Sequence, residues 1–257
     1  MRVSAEPFIR LKGISKTYRT GKKEHLAVSD ATFDVMPGEL VSLVGPSGCG
    51  KSTLLKILAG LYPHDGGELK IGSATHSFDP ARDVGMVFQA PLLLKWRRIL
   101  ENVLLPAEIL GLPKNESKER AKNLLALVGL AGYEEKYPYE LSGGMQQRAA
   151  IARALVHDPK LILMDEPFGA LDALTREQMN LEMLKIWRES GKTIVFVTHS
   201  IQEAVFLGTR VVVLTAGPAR MADNFEIDLP RPRTLDMKTH ERFGEYTRRI
   251  YKLLGME

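Results

Sequence analysis

Leu40-Val-Ser-Leu-Val44 runs directly into Gly45-Pro-Ser-Gly-Cys-Gly50-Lys51-Ser52, and a helical stretch from Ser52 to Ala59 follows. The first segment is a short, almost wholly apolar run and reads as a buried strand. Leu54, Leu55 and Leu58 fall on one stripe of the predicted helix. Between them lies a match to G-x-x-x-x-G-K-[ST], in the strand–loop–helix setting that gives this pattern its meaning. Glycines let successive backbone N–H groups turn inward around phosphate oxygens. The helix start adds partial positive charge. Lys51 can reach the β- and γ-phosphates of a nucleotide, and the Ser52 hydroxyl can ligate Mg²⁺. The loop residues Gly45, Pro46, Ser47, Gly48, Cys49, Gly50, Lys51 and Ser52, with Thr53 beside them, are therefore expected to hold a nucleotide. A plain Gly-rich turn is the weaker alternative.

Outward from the loop, further β-branched and apolar runs recur at Asp83–Phe88, Leu161–Met164, Thr193–Val197 and Val211–Leu214. Continuous apolar strands separated by helices predict a mainly parallel sheet covered on both faces. The stretch Phe8 to Phe33 alternates more loosely and predicts an antiparallel β edge. Residues 90–158 carry helical periodicity and breakers at Pro106, Pro113 and Pro138 without a strand run. The expected fold is an α/β phosphate-loop NTPase core with an antiparallel β edge and an inserted helical subdomain. The expected organisation is 1–89 and 159–230 as core, 90–158 as helical insertion and 231–257 as a basic tail.

Other residues with chemistry end these strands. Asp165 and Glu166 close Leu161–Met164, at the edge where open α/β sheets bind ligands. One carboxylate can hold the hydration shell of Mg²⁺ and its neighbour can accept a proton from attacking water. An acidic surface turn is the bland alternative. His199 follows Thr193–Val197 and is placed to sense a γ-phosphate. Gln89 ends Asp83–Phe88 and can bond near the metal and water. Leu141-Ser142-Gly143-Gly144-Met145 opens an apolar-periodic stretch, forming a second helix start suited to an anion. On physics alone, taken in isolation, an N-cap without a ligand is the favoured reading of this motif.

Composition narrows the classes. The 257 residues are 44% hydrophobic and 26% charged, which excludes a dominantly disordered chain. Cys49 is the single cysteine, so an intrachain disulfide framework is excluded, and no His/Cys cluster has zinc spacing. No secretory signal is read at the start, and no run approaches the roughly 18 apolar residues needed to cross a bilayer. The net charge of +4 invites a polyanionic partner. Residues 231–257, however, hold seven basic and four acidic side chains, leaving the rest nearly balanced. Reading Leu235–Leu254 as a helix, Arg242, Arg249 and Lys252 are expected on a solvated face, with docking on the core less favoured.

Together these motifs resemble the ATP-binding subunit of ABC transporters across nearly the whole chain. The resemblance rests on the phosphate loop, a Q-loop at Gln89, the signature LSGGM at 141–145, and the strand ending in Asp165-Glu166. It continues through Gly169-Ala-Leu-Asp172 and the switch His199. It implies ATP and Mg²⁺ as ligands, with Ser52, Gln89 and Asp165 on the metal. Glu166 is then the general base, His199 the γ-phosphate contact, and Tyr18 the aromatic stacked on adenine. It further implies a sandwich of two ATP-binding subunits, each ATP meeting Ser142, Gly143 and Gly144 of the other copy, with Asp172 linking across. Met145 departs from the glutamine many members carry, and Gln146 does not replace it by register.

Leu92-Leu-Leu-Lys-Trp96-Arg, Val195-Phe-Val-Thr-His-Ser-Ile-Gln-Glu-Ala204 and Leu229-Pro-Arg-Pro-Arg233 look like importers of nitrate, sulfonates, taurine and related solutes. Lys95 departs from the proline usual there. The implied partners are membrane permease subunits, a second, identical ATP-binding subunit and, indirectly, a solute-binding protein, at the cytoplasmic face of the membrane. No nucleic acid is expected. A soluble ABC-type ATPase acting on nucleic acid or ribosomes is the alternative, and a non-hydrolysing regulator a third reading. Leu92, Leu93, Leu94 and Trp96 read equally as contacts for a permease helix or as core.

Overall fold

The computed structural model describes residues 6–21, 23–73 and 76–256. In chain order the elements are β1 (Ile9–Thr20), β2 (Lys23–Val35), β3 (Leu40–Val44), α1 (Lys51–Leu58), β4 (Gly66–Ser73) and β5 (His76–Ser77). Next come α2 (Pro80–Asp83), β6 (Val84–Val87), α3 (Ile99–Ile109), α4 (Lys114–Leu127), α5 (Gly143–Leu155) and β7 (Leu161–Asp165). The chain ends with α6 (Ala173–Ser190), β8 (Thr193–Thr198), α7 (Ile201–Leu207), β9 (Arg210–Leu214), β10 (Met221–Glu226) and α8 (Glu241–Leu253). By contacts they form two units, Met1–Phe78 with Thr193–Glu257, and Asp79–Lys192.

In the first unit, β3 runs parallel to both β8 and β9, and β10 pairs antiparallel with β9 at the edge. Every residue of β3 and β8 is buried, which explains their unbroken apolar reading. A separate antiparallel sheet has the order β2-β1-β4-β5. Ile9, Leu11 and Ile14 of β1 are all buried, and a register shift between Leu11 and Ile14 returns the third to the inner face despite its odd spacing. The α1 helix buries Leu54, Leu55, Ile57 and Leu58.

The tail differs from expectation in two ways. Leu235–Thr239 is a 3-10 turn and His240 is extended, so the helix begins only at Glu241. That helix docks rather than standing free, burying Phe243 and Ile250. These two lie seven residues apart on one face, and the bases beside them find partners on the unit. Arg242 pairs with Asp228, while Arg249 pairs with Asp223 and lies over the Phe225 ring at 4.0 Å. Arg242, Arg249 and Lys252 are all exposed, so the solvated face is present as expected beside the docked apolar one.

In the second unit, β6 and β7 are parallel, from Val84↔Leu161 to Val87↔Met164. Between Gln89 and Asp158 there is helix and turn without a strand. There α5 packs on α3, α4 and β6 and buries Ala149, Ala150, Ala154 and Leu155. Among the described residues no helix is long and apolar enough to cross a membrane.

Candidate nucleotide-binding site

The predicted residues divide between the units. In the first, Val44 lies beside Thr198 on adjacent parallel strands. The Gly45 loop and His199 therefore leave the same end of neighbouring strands. Gly50 takes φ 114 and a Cβ there would sit 2.4 Å from the Ala27 carbonyl oxygen, so this position is closed to any other residue. Lys51 is 4% exposed and its ammonium donates to the carbonyls of Gly45 and Pro46, 2.9 Å from each. The lysine is thus drawn back across the loop it serves. Cys49 is buried beneath the loop, whereas Ser47 and Gly48 are exposed and Ser52 and Thr53 half-buried.

Tyr18, on β1, is half-buried and its hydroxyl lies 3.2 Å from Thr53 Oγ1 on α1. Tyr62 meets the Tyr18 ring edge-on at 6.1 Å, and Lys56 lies over Tyr62 at 5.5 Å. His199 is exposed. Its neighbours are tied firmly: the Thr198 hydroxyl donates to the Glu203 carboxylate at 2.5 Å, and Ser200 N–H donates to Thr198 Oγ1 at 2.9 Å.

In the second unit, Gln89 lies two residues beyond Val87 and Glu166 two beyond Met164, on paired strands. They too leave one sheet end side by side. Asp165 and Glu166 are half-buried, and Glu166 holds a left-handed backbone at φ 46. Such a conformation in a non-glycine residue is costly and concentrates at functional sites. Asp172 caps α6 by accepting from Thr175 N–H at 3.0 Å, and hydrogen bonding by Thr175 holds its carboxyl below the usual range. Arg176 fastens the intervening turn through the carbonyls of Phe168 and Leu171.

Ser142 caps α5, its hydroxyl accepting from Met145 N–H at 3.3 Å. A Cβ at Gly144 would lie 2.9 Å from Thr175 Cγ2, so any larger residue there would have to displace that side chain. Gln146 turns away from the helix start onto the carbonyls of Pro138 and Leu141, so it does not stand in for the residue at Met145. The Leu92–Trp96 ambiguity resolves into a mixture. Leu92 and Trp96 are 58% and 75% exposed, while Leu93 and Leu94 are half-buried.

Residues without a motif hold this segment. Asn102 is fully buried; its Oδ1 accepts from Leu94 N–H at 2.7 Å, and its Nδ2 lies 2.9–3.1 Å from the carbonyls of Leu94, Arg97 and Arg98. Arg153 donates to the carbonyls of Pro91 and Leu92, and Gln147 to that of Phe88. The available signal was a polar residue at an apolar-periodic helix position, such as Asn102 between Leu100 and Val103.

The side chains available in each unit are compatible with a nucleotide and a hard cation. Among the described residues no cluster of His, Cys, Asp or Glu could hold a metal by itself. Ser52 in the first unit, and Gln89 and Asp165 in the second, each carry a side-chain oxygen, the ligand atom Mg²⁺ takes when it is shared with phosphates rather than caged by protein.

A loop of this geometry between a buried parallel strand and a helix defines a phosphate-loop nucleotide-binding protein. The family model described as ABC transporter matches residues 28–169, and the chain belongs to that family. It is 47% identical to an uncharacterised ABC transporter ATP-binding protein of Methanocaldococcus jannaschii, over 97% of this chain and 92% of that one. It is 42% identical to the taurine import ATP-binding protein TauB of Roseobacter denitrificans, covering 96% of this chain and 93% of the relative. Against the aliphatic sulfonates import ATP-binding protein SsuB of Bacillus cereus the identity is 40%, over 94% of each. Its fold matches the dimeric ATP-binding cassette MJ0796, in a post-hydrolysis state bound to ADP and phosphate. That match has a TM-score of 0.73 and 35% identity, over 86% of this chain and 100% of that one. The chain is an ATPase of this family.

Proposed function

We propose that this chain is the ATP-hydrolysing subunit of an importer for a small solute of the sulfonate, taurine or nitrate class. It would act as a homodimer on the cytoplasmic face of the membrane, bound to permease subunits that receive solute from a binding protein. Near-complete coverage of two relatives named for taurine and sulfonate import supports the solute class. The observation that carries the coupling role is the pinned Gln89–Arg98 segment, which offers Leu92 and Trp96 to solvent as apolar contacts for a docked permease helix. The basic excess that would serve a nucleic acid is partly engaged in the tail, where Arg242 and Arg249 pair with carboxylates.

In this reading 1–89 with 159–230 form the ATP-binding core and 90–158 the helical subdomain. Lys51 exchanges its carbonyl partners for phosphate oxygens, and Tyr18 stacks on adenine. Ser52, Gln89 and Asp165 would hold Mg²⁺, which supplies charge neutralisation on the phosphates. Glu166 takes the proton of the attacking water, and His199 contacts the γ-phosphate. The start of α5, at Ser142, Gly143 and Gly144, receives the γ-phosphate of ATP bound to the second copy, and Asp172 links the two.

Glu166→Gln tests the assignment. It should keep ATP binding, slow hydrolysis by about a hundredfold or more and trap an ATP-dependent dimer in gel filtration. Wild-type turnover would remove Glu166 as the base. Co-purification with a permease, and hydrolysis stimulated by solute with its binding protein, tests the transport role. Hydrolysis stimulated by DNA or RNA and abolished by salt would replace it.

A further inference from the structure

Helix α7 follows His199 directly and is only seven residues long, so its last-turn carbonyls depend on partners outside the helix. Arg233 supplies them. It is 5% exposed, and its Nη1 donates to Val205 O at 2.9 Å and Phe206 O at 2.6 Å, while Nη2 reaches Ile227 O at 3.3 Å. A cation at this end also complements the negative pole of the helix. Burial pushes the guanidinium down to about 9, which leaves it charged at neutral pH. Lys238 adds to the same end, lying over the Phe206 ring at 4.8 Å.

The opposite end of α7 is the knot around His199. Ser200 caps the helix by accepting from Glu203 N–H at 3.3 Å, and the Glu203 carboxylate holds the Thr198 hydroxyl. His199 therefore sits between a fixed strand end and a short helix clamped at its far end from the chain's C-terminal segment. We infer that Arg233 is a positioning residue for His199, setting through α7 where the imidazole meets the γ-phosphate. This rests on the reading of His199 as the γ-phosphate contact.

The test uses the full chain with Arg233→Met, Arg233→Lys, His199→Ala and the His199→Ala/Arg233→Met double variant. Steady-state ATP hydrolysis and circular dichroism are measured on each. Arg233→Met should lower kcat about tenfold while KM for ATP moves less than about twofold, as expected when a positioned group is displaced but binding is kept. Arg233→Lys keeps the charge without the fork and should fall between the two, about threefold below wild type. The double variant should be no slower than His199→Ala, because both changes act on one contact. A folded Arg233→Met with wild-type kcat overturns the inference, and so does an additive loss in the double variant. If Arg233→Met does not fold, Arg233→Lys decides: reduced kcat at unchanged KM supports the inference and wild-type kcat overturns it. Wild-type turnover by His199→Ala defeats instead the reading of His199, and the inference with it.

Discussion

The hydroxyl of Tyr18 lies 3.2 Å from Thr53 Oγ1 and ties β1 to the first turn of α1, directly behind the phosphate loop. One aromatic side chain thus has two possible claims on the nucleotide, its ring and its hydroxyl. Tyr18→Phe keeps the ring, so nucleotide affinity should change less than about threefold, as the net worth of one hydrogen bond implies. Tyr18→Ala should weaken affinity by about tenfold or more, since base–aromatic stacking contributes about 1–3 kcal/mol. Titration with a fluorescent ATP analogue separates them. Equal losses in both variants would give the role to the hydroxyl and take the stacking role from the ring.

Asn102 does for the Leu94–Arg98 backbone what a ladder of main-chain bonds does in a helix. Asn102→Ala strands several buried polar groups and should cost about 1–3 kcal/mol in urea unfolding. It should also speed tryptic cleavage at the exposed Lys95 and Arg98. Unchanged cleavage at these two sites would show that Arg153 and the Arg97 and Arg98 ion pairs hold the segment without Asn102.

Burial holds the His157 imidazole below its ordinary value of 6.5, against the opposing influence of its bond to the Val84 carbonyl and of Asp158. As pH falls below about 6.5 the unfolded chain takes up a proton that the folded chain refuses, so stability declines until the lowered native value is reached. Nearby Arg120 and Lys192 act in the same direction as burial. His157→Gln should flatten the stability profile between pH 7 and 5 in urea titrations. Parallel profiles would assign the acid sensitivity elsewhere.

The parts of the fold read correctly from sequence are those encoded locally. Leu40–Val44, the glycine loop and Lys51–Leu58 form a contiguous pattern whose meaning needs no distant partner. β4, β5 and β10 were not anticipated: in β4 only Leu69 and Ile71 alternate with Glu68 and Lys70 among glycines, β5 is two residues long, and Asp223-Asn224 interrupt the apolar alternation of β10. The docking of α8 was read the wrong way for a related reason. Phe243 and Ile250 announce an apolar face, but only the fold shows Asp228 and Asp223 waiting for Arg242 and Arg249. At the candidate site, motif spacing named Lys51, Glu166 and His199, whereas Asn102, Arg153 and Arg233 act on backbone carbonyls that no pattern marks.

The segment from Pro91 to Arg98 has no regular secondary structure, yet its carbonyls and Leu94 N–H are gripped by two side chains from helices α3 and α5. Its frame is preformed, so a protein that docks there pays little ordering entropy. Binding preference can therefore drift through the tips, Leu92 and Trp96, without disturbing the backbone that presents them. If a partner docks there, its exchange for another would need change only at those two tips, while Asn102 and Arg153 stayed the same.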